Sequence, residues 1–201
     1  MVAGLFREGQ PFFKWYGGIW REMLRSFRHF FLQNEQSVEL LKTVSIFDNT
    51  SLGGDTRFDR VIEIAEQFEP IPLIEQFCSN SKVIVLGSTW ESDEAEWTHY
   101  VKIHPEIKFI FAPHEIDTVT INDLQKEFPG AILFSALKEG KANAKSNVLV
   151  IDNFGMLSRL YHYAHITYVG GGFNASGIHN VLEAAVHGKP LVHGTEYETG
   201  D

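Results

Sequence analysis

A single cysteine, Cys78, has no partner for an internal disulfide, which excludes a disulfide-stapled scaffold and fits a reducing compartment. No apolar run reaches the length a helix needs to span a bilayer. The N-terminus lacks the basic, apolar and small-residue succession of a signal peptide. Met1-Val2-Ala3-Gly4-Leu5-Phe6 reads instead as the tail of a buried strand whose partners lie outside the chain. There is no internal repeat and no low-complexity tract. Several motifs are also missing: G-x-G-x-x-G, a P-loop lysine, H-E-x-x-H, G-x-S-x-G and an Asp-x-Asp metal clamp. Dinucleotide, P-loop, zinc-protease and serine-hydrolase readings lose their support with them.

Positive charge is scarce over most of the chain. Residues 1–60 hold 8 Lys/Arg against 7 Asp/Glu, whereas residues 61–201 hold 9 against 19. So acidic a segment cannot supply the row of cations that tracks a nucleic-acid backbone, and nucleic acid is set aside as a partner. Most of the carboxylates read as a solvated surface. A hydrophobic fraction of 44% with 21% charged residues is ordinary for a folded globular chain.

The aromatic content is concentrated near the front. Pro11 suits a first helical position, and Phe12 to Phe31 follows as a helix interrupted at Gly17-Gly18. Trp20, Leu24, Phe27 and Phe31 fall at helical spacing on one face, with Arg21, Arg25 and Arg28 on the adjacent one. Two readings stand: a core helix whose arginines reach solvent, and a basic, aromatic helix lying on an anionic membrane surface. The core reading comes first. His29 to Gln33 then reads as a strand, Asn34 to Val44 as a helix capped by Asn34, and Thr50 to Leu52 as another strand. A domain boundary is expected near Asp55 to Arg60: residues 1–54 form one domain's end, 55–80 a linker and lead-in, and 81–201 the main domain.

From Lys82 onward the pattern is regular. Strands are expected at Lys82–Gly87, Lys108–Pro113, Ala131–Ser135, Val148–Asp152, Ile166–Gly171 and Pro190–His193. Helices are expected at Glu91–Ile103, Thr118–Phe128, Met156–Ala164 and Asn180–His187. Near-continuous apolar strands alternating with amphipathic helices indicate an α/β fold, a doubly wound, Rossmann-like parallel sheet. The polar connection Ala136 to Asn147 holds no convincing helix and is expected to pass from one half of the sheet to the other.

Ligands of such sheets bind beyond the carboxyl ends of the strands, and three loops lie there. Gly87-Ser88-Thr89-Trp90 joins a strand to a helix. Its hydroxyls and N–H groups either hold a phosphate or merely cap the helix, with Ser88 or Thr89 as N-cap. Ala112-Pro113-His114-Glu115 ends a strand on His114, a weak signal alone. The richest is Gly170-Gly171-Gly172-Phe173-Asn174-Ala175-Ser176-Gly177-Ile178-His179-Asn180, a glycine turn running from strand to helix and letting backbone approach an anion. Asn180 and Glu183 stand in the N-cap and N3 relation, so a capping box accounts for both. Alternatively Glu183 accepts the hydroxyls of a ribose; spacing alone favours the cap. His162 and His165 are neighbours without a third residue at metal-ligand spacing.

These loops together resemble the 3-deoxy-D-manno-octulosonic acid (Kdo) transferases. The resemblance rests on Gly54-Asp55-Thr56-Arg57-Phe58-Asp59-Arg60, Gly87-Ser88-Thr89-Trp90, Pro113-His114-Glu115, Ile151-Asp152-Asn153-Phe154-Gly155 and the Gly170–Ala185 loop and helix. It implies the donor-binding half of a two-domain GT-B glycosyltransferase, truncated at its C-terminus, with residues 1–54 the end of the acceptor domain. The implied activity is inverting transfer of Kdo from CMP-Kdo to the lipid A precursor in lipopolysaccharide biosynthesis, with no cofactor and no metal. The implied place is the cytoplasmic face of the bacterial inner membrane for a parent enzyme, with this segment soluble. Donor contacts are then expected from Ser88, Thr89, His114, Gly171, Gly172, Phe173, His179, Asn180 and Glu183. Contacts with the lipid acceptor or membrane surface are expected from Arg21, Arg25 and Arg28. No catalytic residue is expected here, since the family's carboxylate base lies in an earlier part of the acceptor domain. Besides the missing base and the early C-terminal end, the resemblance departs where Ala112-Pro113 runs straight into His114, without the family's arginine. Other readings are a UDP-sugar-dependent transferase or epimerase of the same fold, and a non-catalytic nucleotide-binding fragment.

Overall fold

The structure, a computed structural model, describes residues 4–142, 145–173, 178 and 180–195. The chain forms two compact units, Met1–Arg60 and Val61–Asp201. The division falls inside a helix, Thr56–Glu66.

In the first unit a 3-10 turn, Pro11–Phe13, precedes α1, Gly18–Arg25. Strands β1, Phe30–Leu32, and β2, Thr50–Leu52, pair in parallel, and α2, Glu35–Thr43, connects them. The Asn34 side chain caps α2, accepting a hydrogen bond of 2.8 Å from the Ser37 N–H. Phe6 lies at the centre of the core, edge-on to Phe12, Phe13 and Phe30, with Leu24, Leu32 and Leu41 around it.

The long helix expected over Phe12–Phe31 is not formed. At Gly17 a Cβ would fall 2.3 Å from the Pro11 carbonyl oxygen, so the chain turns there on glycine and α1 starts afresh. α1 also stops before Phe27, and Phe31 lies on β1, where alternation buries Phe30 and Leu32 and turns Phe31 outward. Leu24 is the one buried residue of α1; Trp15 is 92% exposed, and Ile19, Trp20 and Met23 are exposed as well. The core-helix reading therefore fails for this face. The three arginines also part company. Arg21 turns back to donate to the Lys14 carbonyl at 2.9 Å, Arg25 pairs with Glu22, and Arg28 is exposed.

The second unit opens with α3, Thr56–Glu66, which begins in the first, and α4, Pro72–Cys78. There follow β3 (Val83–Thr89), α5 (Glu91–Ile103), β4 (Lys108–Pro113) and α6 (Thr118–Glu127). Next come β5 (Ile132–Leu133), α7 (Phe134–Lys138), β6 (Val148–Val150) and α8 (Leu157–Leu160) with a 3-10 turn to Tyr163. β7 (Ile166–Val169), α9 (Leu182–Ala185) and β8 (Leu191–His193) complete it. The strands form one parallel sheet in the order β5-β6-β4-β3-β7-β8.

Alternate residues of each central strand enter opposite cores. Val83 and Val85 pack with α4, α7 and α8, whereas Ile84 and Leu86 pack with α5 and α6. Burial on both faces is what makes these strands continuous apolar runs. Two expectations are corrected here. Phe134 and Ser135 belong to a helix, not a strand: Phe134 and Leu137 enter the core one helical turn apart, a spacing that a short apolar run does not reveal. The chain also does not cross the sheet at Ala136–Asn147. That connection returns from β5 to its neighbour β6, and the following one, through α8, carries the chain from β6 past β4 and β3 to β7.

Candidate functional site

Ser88 and Thr89 close β3 with a bulge. The register to β4 shifts between Gly87 and Thr89, and Ser88 takes a left-handed backbone with φ of 53°. Thr89 is buried and its Oγ1 donates to Glu94 Oε1 at 2.7 Å. Neither residue caps α5. The cap position is Trp90, whose N–H donates to Asp93 Oδ2 at 2.9 Å. Thr89 is therefore corrected as the cap, and its hydroxyl, engaged by Glu94, is not offered to a phosphate. The first turn of α5 also carries Glu91, Asp93 and Glu94, three carboxylates that oppose an anion at this helix start.

The glycine-rich segment is tied to the same strand end. Gly170 N–H donates to the Gly87 carbonyl at 2.9 Å, and a Cβ on Gly170 would lie 2.3 Å from the Ser88 carbonyl oxygen. Gly171, at φ of 95°, donates its N–H to Asp93 Oδ2 at 3.0 Å. That amide, expected to face a phosphate, is engaged within the protein. Gly172 backs onto Gly194, whose Cα would lie 2.6 Å from a Cβ on Gly172, and Phe173 is partly exposed. Close backbone packing thus accounts for Gly170 and Gly172. Asn174 to Gly177 and His179 lie outside the described residues.

The expected capping box is absent. Val181 occupies the cap position of α9, and Asn180 Oδ1 accepts from the Leu182 N–H at 3.1 Å, a turn that precedes the helix. The helix starts one residue later than the box requires, so Glu183 is not the third residue after its cap. Glu183 is half-buried, and its charge helps to raise the Tyr161 hydroxyl above the usual phenol range, after burial as the main cause.

A cleft of about 150 Å³ opens at the carboxyl ends of β3, β4 and β6. Ser88, Pro113 and His114 line one side, and Asn153, Phe154 and Gly155 the other, on the connection that crosses the sheet. His114 is held by its N–H, which donates to the Thr89 carbonyl at 2.9 Å, and its ring stacks on Trp90 at 4.5 Å. Phe154 is 77% exposed at the rim. Leu157 reaches from the cleft to Gly87, where the Tyr161 hydroxyl also packs: a Cβ there would meet them at 2.6 and 2.0 Å. A larger hollow of about 400 Å³, lined by Gln125, Gly130, Ala131 and Ser146, lies near the amino ends of β5 and β6, and among the described residues that line it none is charged.

Of the expected donor residues, Ser88 and His114 meet at the cleft. Thr89 and Gly171 are turned inward, Gly172 and Phe173 lead away from β7, and Asn180 and Glu183 lie at the start of α9. Sequence reasoning missed Asp93 and Glu94, and it quoted Asn153 and Phe154 in a motif without giving them a place in the site. An acidic residue four positions after a strand end is the signal for Asp93, and an aromatic just after a buried strand the signal for Phe154. His162 and His165 diverge. His165 Nδ1 accepts from the Val83 N–H at 3.1 Å, and His162 stacks on Phe68 at 3.6 Å. Among the described residues no group of three or more His, Cys, Asp and Glu could hold a metal ion, and no helix is long and apolar enough to cross a membrane.

No protein-family model matches the chain. A 3-deoxy-D-manno-octulosonic acid transferase of Chlamydia trachomatis serovar A is 32% identical over 122 residues, covering 59% of this chain and 28% of the relative. A Rickettsia bellii protein of the same name is 26% identical over 190 residues, 89% of this chain and 43% of that protein. The chain thus spans less than half the length of these curated relatives. Among solved structures, the C-terminal CMP-Kdo binding domain of WaaA from Acinetobacter baumannii matches with a TM-score of 0.52 at 22% identity, over 69% of this chain and 72% of that one. The chain is therefore similar in sequence to 3-deoxy-D-manno-octulosonic acid transferases, and its parallel α/β sheet has the fold of the CMP-Kdo binding domain of WaaA.

Proposed function

We propose that this chain is the donor-binding part of an inverting glycosyltransferase that moves Kdo from CMP-Kdo to the lipid A precursor. The observation that carries the proposal is the cleft between His114 and Phe154, at the carboxyl ends of a sheet with the fold of a CMP-Kdo binding domain. Its volume is below the roughly 300 Å³ of ordinary ligand pockets. It suits one flat ring, with the rest of a nucleotide sugar extending over the rim. The cytosine lies against Phe154 and Asn153, and the ribose hydroxyls turn to Glu183, which no capping box engages. His114 and the backbone at Gly172 and Phe173 stand toward the phosphate. The acidic start of α5 argues against the phosphate lying there.

In the reaction a deprotonated acceptor hydroxyl attacks the anomeric carbon of Kdo, and the bond from that carbon to the CMP phosphate oxygen breaks with its electron pair. Donors preorganised toward the leaving phosphate lower the barrier by meeting charge that grows only in the transition state. The acceptor side is proposed to meet a membrane through the first unit. Exposed Trp15, Trp20 and Met23 support this, together with Arg25 and Arg28 on the same segment. The place of action is then the cytoplasmic face of the inner membrane. Saturation-transfer NMR with CMP, UMP and NAD tests the donor. CMP gives the strongest signal if the proposal holds, and an equal or stronger signal from UMP contradicts it.

A further inference from the structure

We infer that Asp93 is a positioning residue for nucleotide binding: its carboxylate fixes the glycine-rich turn after β7 to the end of β3. This rests on the reading of the site as a CMP-Kdo site. The side chain is fully buried and three donors converge on it. Oδ1 accepts from the Tyr168 hydroxyl at 2.5 Å, and Oδ2 accepts from the N–H groups of Trp90 at 2.9 Å and Gly171 at 3.0 Å. Those donors come from β7, from the start of α5 and from the glycine turn, so one carboxylate joins three elements. Without Asp93 the Gly171 amide loses this acceptor, and a buried N–H left without one favours rearrangement of the turn. Gly171 directly precedes Gly172 and Phe173, which the proposed site uses, and Trp90 carries the stack on His114. The His114 wall of the cleft and the glycine turn are therefore registered through this group.

The chemistry separates two substitutions. Asp93→Ala removes all three acceptor contacts. Asp93→Asn keeps an oxygen for the two backbone N–H groups and places its NH₂ against Tyr168, whose hydroxyl can reverse and accept. The double variant Asp93→Asn/Tyr168→Phe leaves that NH₂ buried without a partner.

The test combines CMP titration calorimetry with amide exchange at Gly171 on the 201-residue chain, with Leu124→Ala as a destabilised control whose cavity lies under α6. Asp93→Ala is expected to weaken CMP binding at least tenfold and to lose Gly171 protection. Asp93→Asn stays within about threefold of the parent, and Leu124→Ala keeps its CMP affinity. If Asp93→Ala does not fold, the double variant, whose unpartnered NH₂ drives the Asn side chain out of its buried position and off the two N–H groups, is expected to show the same losses relative to Asp93→Asn. Unchanged CMP affinity with fast Gly171 exchange overturns the positioning role and leaves the site reading intact. So does an affinity loss in Leu124→Ala equal to that in the Asp93 variants. Failure of the unsubstituted chain to bind CMP overturns the site reading, and this inference with it.

Discussion

Asp93 and Glu94 are adjacent buried carboxylates in different circumstances. Asp93 accepts three hydrogen bonds, whereas Glu94 accepts from the Thr89 hydroxyl. Burial pushes the Glu94 carboxyl up to about 7, and the Thr89 hydrogen bond only partly opposes it. The folded state thus holds this proton more tightly than the unfolded chain, whose reference value is 4.5. The contribution of Glu94 to stability is complete below that value and is lost as pH rises through about 7. A shift of this size corresponds to a loss on the order of 3 kcal/mol. Glu94→Gln keeps an oxygen for Thr89 and carries no charge, so it should flatten the dependence of stability on pH and exceed the parent at pH 8. Urea denaturation between about pH 5 and 8 measures this, and parallel curves for the two proteins would count against it. Neither acid stands out in the sequence, since a helix start with several carboxylates usually presents them to solvent. Their burial follows from β7 and the glycine turn, which arrive from about eighty residues downstream.

A helix packed along one face of the sheet and a strand buried on both faces were the most legible. α5 occupies Glu91–Ile103 as the pattern requires, and β4 occupies Lys108–Pro113. Legibility failed where tertiary pairing decides. The short edge strand β5 yields to α7 within an apolar run, and the place of the sheet crossing depends on which strands pair. It failed again at the front, where helical spacing of aromatics was read across a glycine turn and a strand. The corrected geometry sharpens the membrane proposal. Arg21 supports the turn before α1, so Arg25 and Arg28 are the cations to test. A basic side chain near an anionic surface contributes about 1 kcal/mol. Arg25→Gln/Arg28→Gln should therefore weaken partition onto phosphatidylserine vesicles by roughly 30-fold, with neutral vesicles binding both proteins equally. Flotation reads this directly, and indifference to both lipid charge and substitution would contradict a membrane role for this face.

At the scale of the molecule, the doubly wound sheet puts the loops after β3, β4, β6 and β7 at one edge, which is why the place of the candidate site was legible before its geometry. The individual contacts were not, because they depend on which donors the protein itself uses. Thr89 and Gly171 illustrate this: both have the chemistry for a phosphate, and both are engaged by buried acids. Of the larger hollow and the smaller cleft on the sheet unit, the proposed donor site is the smaller. Amide shift mapping of the chain during CMP titration decides between them. Perturbations are expected at Ser88, His114, Asn153 and Phe154, saturating with CMP. Perturbations confined to Gln125, Gly130, Ala131 and Ser146, around the larger hollow, would contradict a donor site in the cleft.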